Sequence, residues 1–307
     1  MATKKSMRVL LITLTLIGLT SLLLLSAGAA PPWPIPDGVK TIEVNGYDMA
    51  YQETGSGIAI VLIHGSLTDY RTWKNQIPEF SKAYRVIAVS LRHHYPEKWN
   101  GTGSGYSIEQ HASDVAALIK KLSLGRVHLL GHSRGGPVAV MVASLHPEVI
   151  RTLILEDGSI DSLLPDTPEN QKRKAEWMAR GDNALANLNA GEPEKAAQEW
   201  LDSYGGPGTW EKIPAVAKPI ILDNIGSATD KGDRGKISRA DIQKFSFPIL
   251  LLTGEKSPKM YDEIFAILRQ CNPDIPAPII VPNGTHLMHS SNPAFFTETV
   301  LEFLNKH

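Results

Sequence analysis

A serine between two glycines is the residue of this 307-residue chain most clearly suited to chemistry. The segment at 131–135 is G-H-S-R-G, directly after the apolar run 127–130 and ahead of a helical pattern. A serine on such a strand-to-helix turn has a strained backbone, and its flanking glycines avoid clashes with neighbouring elements. The helix N-terminus behind it favours developing negative charge. This context predicts that Ser133 is a nucleophile rather than an ordinary turn serine.

A serine nucleophile needs a base, and a histidine follows the last apolar run of the chain. The run 279–281 leads into P-N-G-T-H at 282–286, and a further helical pattern begins after Pro293. A histidine on this loop can reach back over the edge of the sheet and activate the serine. We expect His286 to be this base because it follows the glycine turn, and His289 is the second choice.

Strand-like and helix-like patterns alternate along the chain. Five apolar runs have the length of strands buried on both faces of a sheet, at 58–63, 86–90, 127–130, 153–155 and 249–252. An Asn-Gly pair at 45–46 predicts a hairpin ahead of them, and S-I-E-Q at 107–110 predicts a capping box that opens a helix. Strands alternating with helices predict a mostly parallel sheet flanked by helices, with ligands at the carboxyl ends of the strands.

The polar region 159–237 interrupts this alternation. Helical patterns without a convincing strand lie in it at 172–180, 194–204 and 210–224. We interpret the region as a helical lid inserted into a core that is made of residues 41–158 and 238–307. Its large aromatic residues are expected to pack inside the insertion, and lining of the substrate pocket is the alternative; they are Trp177, Trp200, Tyr204 and Trp210.

Three motifs in this arrangement resemble those of the α/β-hydrolase superfamily. They are H-G-S at 64–66, G-H-S-R-G at 131–135 and G-T-H-L-M-H-S-S-N-P at 284–293. The resemblance covers most of the chain, from the first motif to the end. It implies the α/β-hydrolase fold, and the order of nucleophile before base matches that of the superfamily.

The resemblance also implies a role for each residue of a catalytic site. Ser133 would be the nucleophile and His286 the base. The backbone N–H groups of Ser66 and Arg134 would form the oxyanion hole, whose donors stabilise the negative charge that develops in the transition state.

The acid of the triad is where the sequence departs from the commonest pattern of the superfamily. Many members carry Asp in the turn after the penultimate strand, but that turn is G-E-K-S at 254–257. Other members carry the acid at the end of the strand after the nucleophile helix, where Glu156 and Asp157 lie here. Side chains alternate along a strand, so one of the two is expected to face His286. We choose Asp157 over Glu156, with Glu255 as an outside candidate; a turn cap is the other possible role of Asp157.

The amino-acid composition excludes several classes of binding partner and cofactor. The net charge of −1 argues against a nucleic-acid partner, and the single cysteine, Cys271, excludes an internal disulfide and a thiolate metal cluster. Adjacent His93 and His94 cannot point the same way on an extended segment, so they do not predict a metal site. The expected mechanism needs no metal and no organic cofactor. The expected partner is a small-molecule ester or lactone.

The first 30 residues have the pattern of a secretory signal peptide. A basic start precedes the apolar run 9–25, and small residues follow it with alanines at 27 and 29. The pattern predicts export to the periplasm or the medium, with a Pro-rich linker at 31–40. An uncleaved membrane anchor is the alternative, because the run is barely long enough to span a bilayer. Membrane contact is expected only in that case.

Several activities use the same residues. Dehalogenases and epoxide hydrolases carry Asp at the nucleophile position, so Ser133 disfavours them. Lactonases, cofactor-free haloperoxidases and carbon–carbon bond hydrolases keep the serine triad. A carboxylic ester or lactone hydrolase is the preferred function, and a carbon–carbon hydrolase or haloperoxidase is an alternative. The serine at position 257 motivates a further alternative, a ligand-binding protein without turnover on a hydrolase scaffold.

Overall fold

The computed structural model describes residues 31–231 and 235–307. The signal peptide predicted at 1–30 lies outside the described residues. Within the described ranges, none of the helices combines the length and the apolar composition that a membrane crossing requires.

The described residues form one eight-stranded sheet. The strands are β1 (Val39–Val44), β2 (Tyr47–Thr54), β3 (Ala59–Ile63), β4 (Arg85–Val89), β5 (Val127–His132), β6 (Ile150–Glu156), β7 (Ile249–Gly254) and β8 (Ile279–Val281). Their order across the sheet is β1-β2-β4-β3-β5-β6-β7-β8. Strands β3 to β8 are parallel to one another, and β2 runs antiparallel to both of its neighbours. The predicted mostly parallel sheet is confirmed.

Eleven α-helices lie in the same ranges. They are α1 (Ile77–Phe80), α2 (Ile108–Lys121), α3 (Gly135–Leu145), α4 (Pro168–Asn189), α5 (Pro193–Gly205), α6 (Thr209–Lys212), α7 (Lys218–Asp223), α8 (Arg239–Gln243), α9 (Met260–Cys271), α10 (Met288–Ser291) and α11 (Pro293–Leu304). Ser107 caps α2 by accepting the N–H of Gln110 at 3.1 Å. The Gln110 side chain bonds Asp114 at 2.8 Å instead of returning to the cap, so only half of the predicted capping box forms.

Strand β3 shows why the sheet-forming runs are continuously apolar. Val61 and Ile63 pack into a cluster with residues of α2 and α3, whereas Ile60 and Leu62 pack on the opposite face with residues of α1 and α11. All four side chains are fully buried. Burying one such side chain stabilises the fold by about 2 kcal/mol. Helices on both faces therefore hold the strand ends, and the residues beyond them, in fixed positions.

The chain between β6 and β7 departs in one detail from what the sequence predicts. The described residues there form helices and no strand, but the helix predicted over 210–224 is broken into α6 and α7. Pro214 lies in the break, and proline lacks the amide donor that a continuing helix needs. The prediction of one helical stretch is therefore wrong at this point.

Candidate active site

Ser133 lies on the tight turn between β5 and α3. Its φ of 50° is in the left-handed region, which residues with a side chain rarely adopt. Its amide donates to the carbonyl of Glu156, and its carbonyl accepts the amide of Ser159, both at 3.0 Å. These bonds tie the turn to the end of β6, and they hold a conformation that costs free energy on its own. Ser133 is half-buried.

The two glycines of the motif are required by the close approach of other backbone segments. A Cβ on Gly131 would lie 2.3 Å from the carbonyl oxygen of Gly135, and one on Gly135 would lie 2.4 Å from that of Ile63. Neither neighbour is a flexible side chain that could move aside. The prediction that these glycines avoid clashes with neighbouring elements is confirmed.

His286 and Asp157 meet at the carboxyl end of the sheet. The Nδ1 atom of His286 lies 3.1 Å from Oδ2 of Asp157, which is fully buried. An imidazole whose Nδ1–H faces a carboxylate keeps its Nε2 atom available to accept a proton. Of the three candidate acids, Asp157 is the one whose carboxylate lies beside His286.

Ser257, in the turn where the acid is missing, supports the acid that comes from the neighbouring strand. Its hydroxyl donates to Oδ2 of Asp157 at 2.5 Å and accepts the amide of Gly254 at 3.0 Å. A hydrogen bond to an ionised acceptor is stronger than one between neutral groups. The sequence did not predict this role of Ser257, whose only signal there is its place in the turn that usually holds the acid.

The other two candidate acids bond elsewhere. Glu156 accepts the Nδ1–H and the backbone amide of His289, at 2.8 and 3.1 Å, in a fully buried pair. The Nε2 atom of His289 lies 2.7 Å from Oγ1 of Thr72. Exposed Glu255 accepts the amide of Asn283 at 2.7 Å. His289, the second choice for the base, is therefore part of a buried network and not of the site around Ser133.

His132, Glu156 and His289 form a buried group whose potential metal-ligand atoms lie within 4.8 Å of one another. Two histidines and a glutamate are a ligand set that zinc accepts. Here, however, His132 Nε2 lies 2.9 Å from the carbonyl oxygen of His286, and both histidines already have hydrogen-bond partners. Burial holds the pKa of His132 well below its usual value, so the ring is neutral and can donate to that carbonyl. We interpret the group as a support for the loop of His286.

Two tyrosines form the wall beside His286. The ring of Tyr261 stacks on that of His286 at 4.9 Å with an interplanar angle of 8°, and its hydroxyl lies 3.4 Å from Nε2. The hydroxyl of Tyr204, on α5, lies 3.0 Å from that of Tyr261. Burial raises the pKa of Tyr204 to about 12 and also raises that of Tyr261. Both hydroxyls therefore keep their protons at neutral pH.

Ser66 and Arg134 are the residues expected to supply the oxyanion donors. Ser66 is half-buried, and within the described part of the chain its amide donates to no acceptor. Arg134 directly follows the nucleophile at the start of α3, and its buried side chain bonds Asp230 at 2.5 Å beneath the helical insertion. The Arg134 guanidinium also lies 4.3 Å from the ring of Tyr106. The residue after the serine thus links the turn to the insertion.

A cleft of about 950 Å³ lies against the helices between β6 and β7. Trp177, Arg180 and Tyr204 line it, and Tyr204 connects it to the surroundings of His286. The other two aromatic residues that the sequence singled out are buried in the core of the insertion; they are Trp200 and Trp210. Trp177 and Tyr204 are partly buried and pack against the same cluster, so the expected packing role holds for all four, and these two line the cleft as well.

Comparison with known proteins identifies the family of the chain. The sequence matches the model of the alpha/beta hydrolase family over residues 60–299. The chain belongs to this family. Among its curated relatives is the 2-(acetamidomethylene)succinate hydrolase of Mesorhizobium japonicum, which is 22% identical over 87% of this chain and 95% of its own. A putative 2-succinyl-6-hydroxy-2,4-cyclohexadiene-1-carboxylate synthase of Bacillus subtilis is 26% identical over 88% and 96% of the two chains.

Solved structures of other alpha/beta hydrolases share the fold. An enol-lactonase from Burkholderia xenovorans superposes with a TM-score of 0.65 at 23% identity, covering 87% of this chain and all of its own. An esterase from Thermogutta terrifontis superposes with a TM-score of 0.64 at 22% identity, covering 87% and 98%. The alpha/beta hydrolase fold predicted from the sequence is confirmed.

Proposed function

We propose that the protein is a serine hydrolase that cleaves a carboxylic ester or a lactone through an acyl-enzyme on Ser133. His286 is the general base, and Asp157 orients it and stabilises its protonated form. The amides of Ser66 and Arg134 bind the oxyanion. The observation that carries the proposal is the 3.1 Å contact between His286 Nδ1 and Asp157 Oδ2 beside the strained serine turn.

The proposed reaction has two halves. Ser133 Oγ attacks the acyl carbonyl while His286 Nε2 takes its proton, and the two backbone amides hold the tetrahedral oxyanion. The protonated imidazole then gives its proton to the leaving alcohol, and water repeats the sequence on the acyl-enzyme. In the described residues no hydrogen bond joins Ser133 Oγ to His286 Nε2, and the latter faces Tyr261 at 3.4 Å. A side-chain rotation on substrate binding would align them, as catalytic contacts often tighten only in the complex.

The preference for an ester or lactone rests on the reaction itself and on the relatives. Ester cleavage asks only for a nucleophile, a base and an oxyanion hole, all of which the proposal assigns. The names of related proteins include a hydrolase, an esterase and an enol-lactonase. We assign the insertion at 159–237 the part of a lid, because its helices line the cleft and one of the lining residues, Tyr204, lies beside His286.

The test of the proposal is hydrolysis of short- and medium-chain p-nitrophenyl esters by the mature protein, beside Ser133→Ala and Asp157→Asn. We expect loss of activity in the serine variant and a strong reduction in the aspartate variant. Activity that survives Ser133→Ala would contradict the mechanism. A wild-type protein that hydrolyses no ester and resists a fluorophosphonate probe would instead support the ligand-binding alternative.

We also propose that the protein is exported by the signal peptide at 1–30. Expression of the full chain in a bacterial host, followed by cell fractionation and intact-mass measurement, tests this. Export predicts a soluble periplasmic or secreted product shortened by cleavage after Ala29. A full-length product in the membrane fraction would support the anchor instead.

A further inference from the structure

Arg180 is a partly buried cation in the cleft wall whose hydrogen-bonding capacity is little used. It lies on α4, and its Nη2 donates to the carbonyl of Ser203 at 3.1 Å. Its Cζ lies 5.7 and 5.9 Å from the ring centroids of Trp177 and Tyr204. A guanidinium has five N–H donors, so one backbone carbonyl leaves most of them available.

The charge of Arg180 is also poorly compensated. Within the described ranges no carboxylate lies within salt-bridge distance of it, and burial lowers the pKa of its guanidinium. Glu176 is the acidic residue that acts on Arg180, but its exposed carboxylate lies 3.9 Å from Lys172. Removing a cation from water without a nearby anion costs free energy, and an anion that binds beside it recovers that cost.

A second arginine of the same helix provides the contrast. Arg173 also lines the cleft, but its Nη2 lies 3.5 Å from Glu169 and 3.9 Å from Glu263. Its charge is therefore balanced by the protein. Of these two arginines, Arg180 is the one that lacks an acidic partner in the described residues.

The position of Arg180 relates it to the catalytic histidine. The ring centroid of Tyr204 lies 5.9 Å from Arg180 Cζ and 5.8 Å from the ring of His286. The cation and the base therefore adjoin the same aromatic ring, and that ring also lines the cleft.

We propose that Arg180 binds a carboxylate of the substrate, so that the preferred substrates are esters or lactones with an acid group away from the scissile bond. The inference rests on the proposed function. Arginine suits this role because its planar fork can donate two parallel N–H bonds to one carboxylate. Tyr204, whose ring faces both groups, forms the wall along which the substrate lies.

A pair of esters that differ only in charge tests the inference. The mono-p-nitrophenyl ester of adipic acid carries a free carboxylate, and its methyl-capped analogue is neutral and of similar length. We expect the wild type to favour the acid, in kcat/KM, by roughly ten-fold or more, chiefly through KM. Arg180→Gln should abolish most of this preference, and Arg180→Lys should restore only part of it. Arg173→Gln, which removes a balanced charge from the same cleft, should leave the preference unchanged.

Binding without turnover separates failure of the inference from failure of the proposed function. Adipate is titrated by calorimetry into Ser133→Ala, with and without Arg180→Gln, after circular dichroism has shown both to be folded. Weaker binding in the double variant supports the subsite even if no ester is hydrolysed. An equal preference for the two esters in the wild type, or one that Arg180→Gln leaves intact, would overturn the inference while leaving the serine mechanism standing.

Discussion

Asp157 Oδ2 receives two contacts, from Ser257 Oγ at 2.5 Å and from His286 Nδ1 at 3.1 Å. Its other oxygen, Oδ1, has no hydrogen-bond partner among the described residues. A fully buried carboxylate depends on the few polar contacts it has. Ser257 therefore helps to hold the acid of the proposed triad in position.

Removal of the Ser257 hydroxyl should weaken catalysis without removing a triad member. Ser257→Ala is expected to lower kcat/KM for p-nitrophenyl esters about ten-fold, the effect of losing a hydrogen bond to a charged group. Ser257→Thr keeps a hydroxyl and should retain most of the activity. Equal activity of the alanine variant and the wild type would show that the 2.5 Å contact does not matter for the acid.

The residues of the candidate site differ in how far the sequence could reveal them. Ser133 follows from a local pattern, because strand, turn, glycines and helix are consecutive. Ser257 and Arg180 carry no such pattern. Ser257 contacts an aspartate 100 positions away in the chain, and Arg180 is distinguished from Arg173 only by which carboxylates lie near each. Such contacts are set by the packing of distant segments, which one sequence does not display.

At the scale of elements, the end of β6 presents two adjacent acids to different surroundings. Glu156 faces the buried His289, and Asp157 faces His286. Glu156 is the last residue of β6, whereas Asp157 follows it with a φ of 42°, so the turn out of the strand, and not alternation within it, directs the two side chains apart. The two acids are therefore separable by mutation.

Replacing Glu156 by its isosteric amide should mainly reduce stability, whereas the same change at Asp157 should mainly reduce activity. Glu156→Gln is expected to lower the free energy of unfolding by about 1–3 kcal/mol, because it disturbs a buried polar contact. It should retain more ester hydrolysis than Asp157→Asn does. Asp157→Asn is expected to lower kcat by about 10³- to 10⁴-fold with a smaller effect on stability. Urea denaturation and ester hydrolysis of both variants check this. The reverse pattern would make Glu156 the functional acid.

The turn after β5 should not tolerate a side chain at its second glycine. Gly135→Ala would place a Cβ 2.4 Å from the carbonyl oxygen of Ile63 and is expected to cost about 3 kcal/mol of stability or more. Gly158→Ala is the matched control, because its Cβ would meet only ordinary contacts at 3.4 Å and beyond. Thermal unfolding of the two variants measures the difference. Equal melting temperatures would contradict the steric explanation of the motif.

The order and type of the elements were predictable because burial on both faces leaves continuous apolar runs, as in β3. The exact ends of the helices were less predictable from the sequence. The break at Pro214 interrupts an otherwise helical pattern, and half of the capping box at Ser107 is lost because Gln110 bonds Asp114. Both outcomes depend on local competition among partners rather than on periodicity.

At the scale of the whole molecule, buried neutral histidines tie stability to pH. Burial lowers the pKa of each member of this group, which are His64, His94, His111, His128 and His132. The pKa values of His64 and His128 fall to about 4. His64 Nε2 accepts the amide of Leu91 at 2.9 Å, a bond that a protonated imidazole cannot accept.

The fold should therefore lose stability in mild acid. Unfolded histidines take up protons near pH 6.5, whereas His64 and His128 take them up only near pH 4 in the folded protein, so the unfolded state binds more protons between these values. Stability is full above this window and decreases as the pH falls through it, with His64 alone contributing about 3 kcal/mol. Urea midpoints measured from pH 7.5 to 4.5 should decline steadily below pH 6.5. A constant midpoint over this range would show that these histidines are not buried as neutral groups.

The central claim is that Ser133 is the activated nucleophile, and covalent labelling tests it most directly. The protein is treated with a fluorophosphonate probe, and the modified residue is located by peptide mass spectrometry, with Ser133→Ala and Asp157→Asn alongside. We predict one adduct, on Ser133, that is absent in the alanine variant and forms far more slowly in the asparagine variant. An adduct on a different serine, or ester hydrolysis by a protein whose Ser133 stays unmodified, would contradict the account.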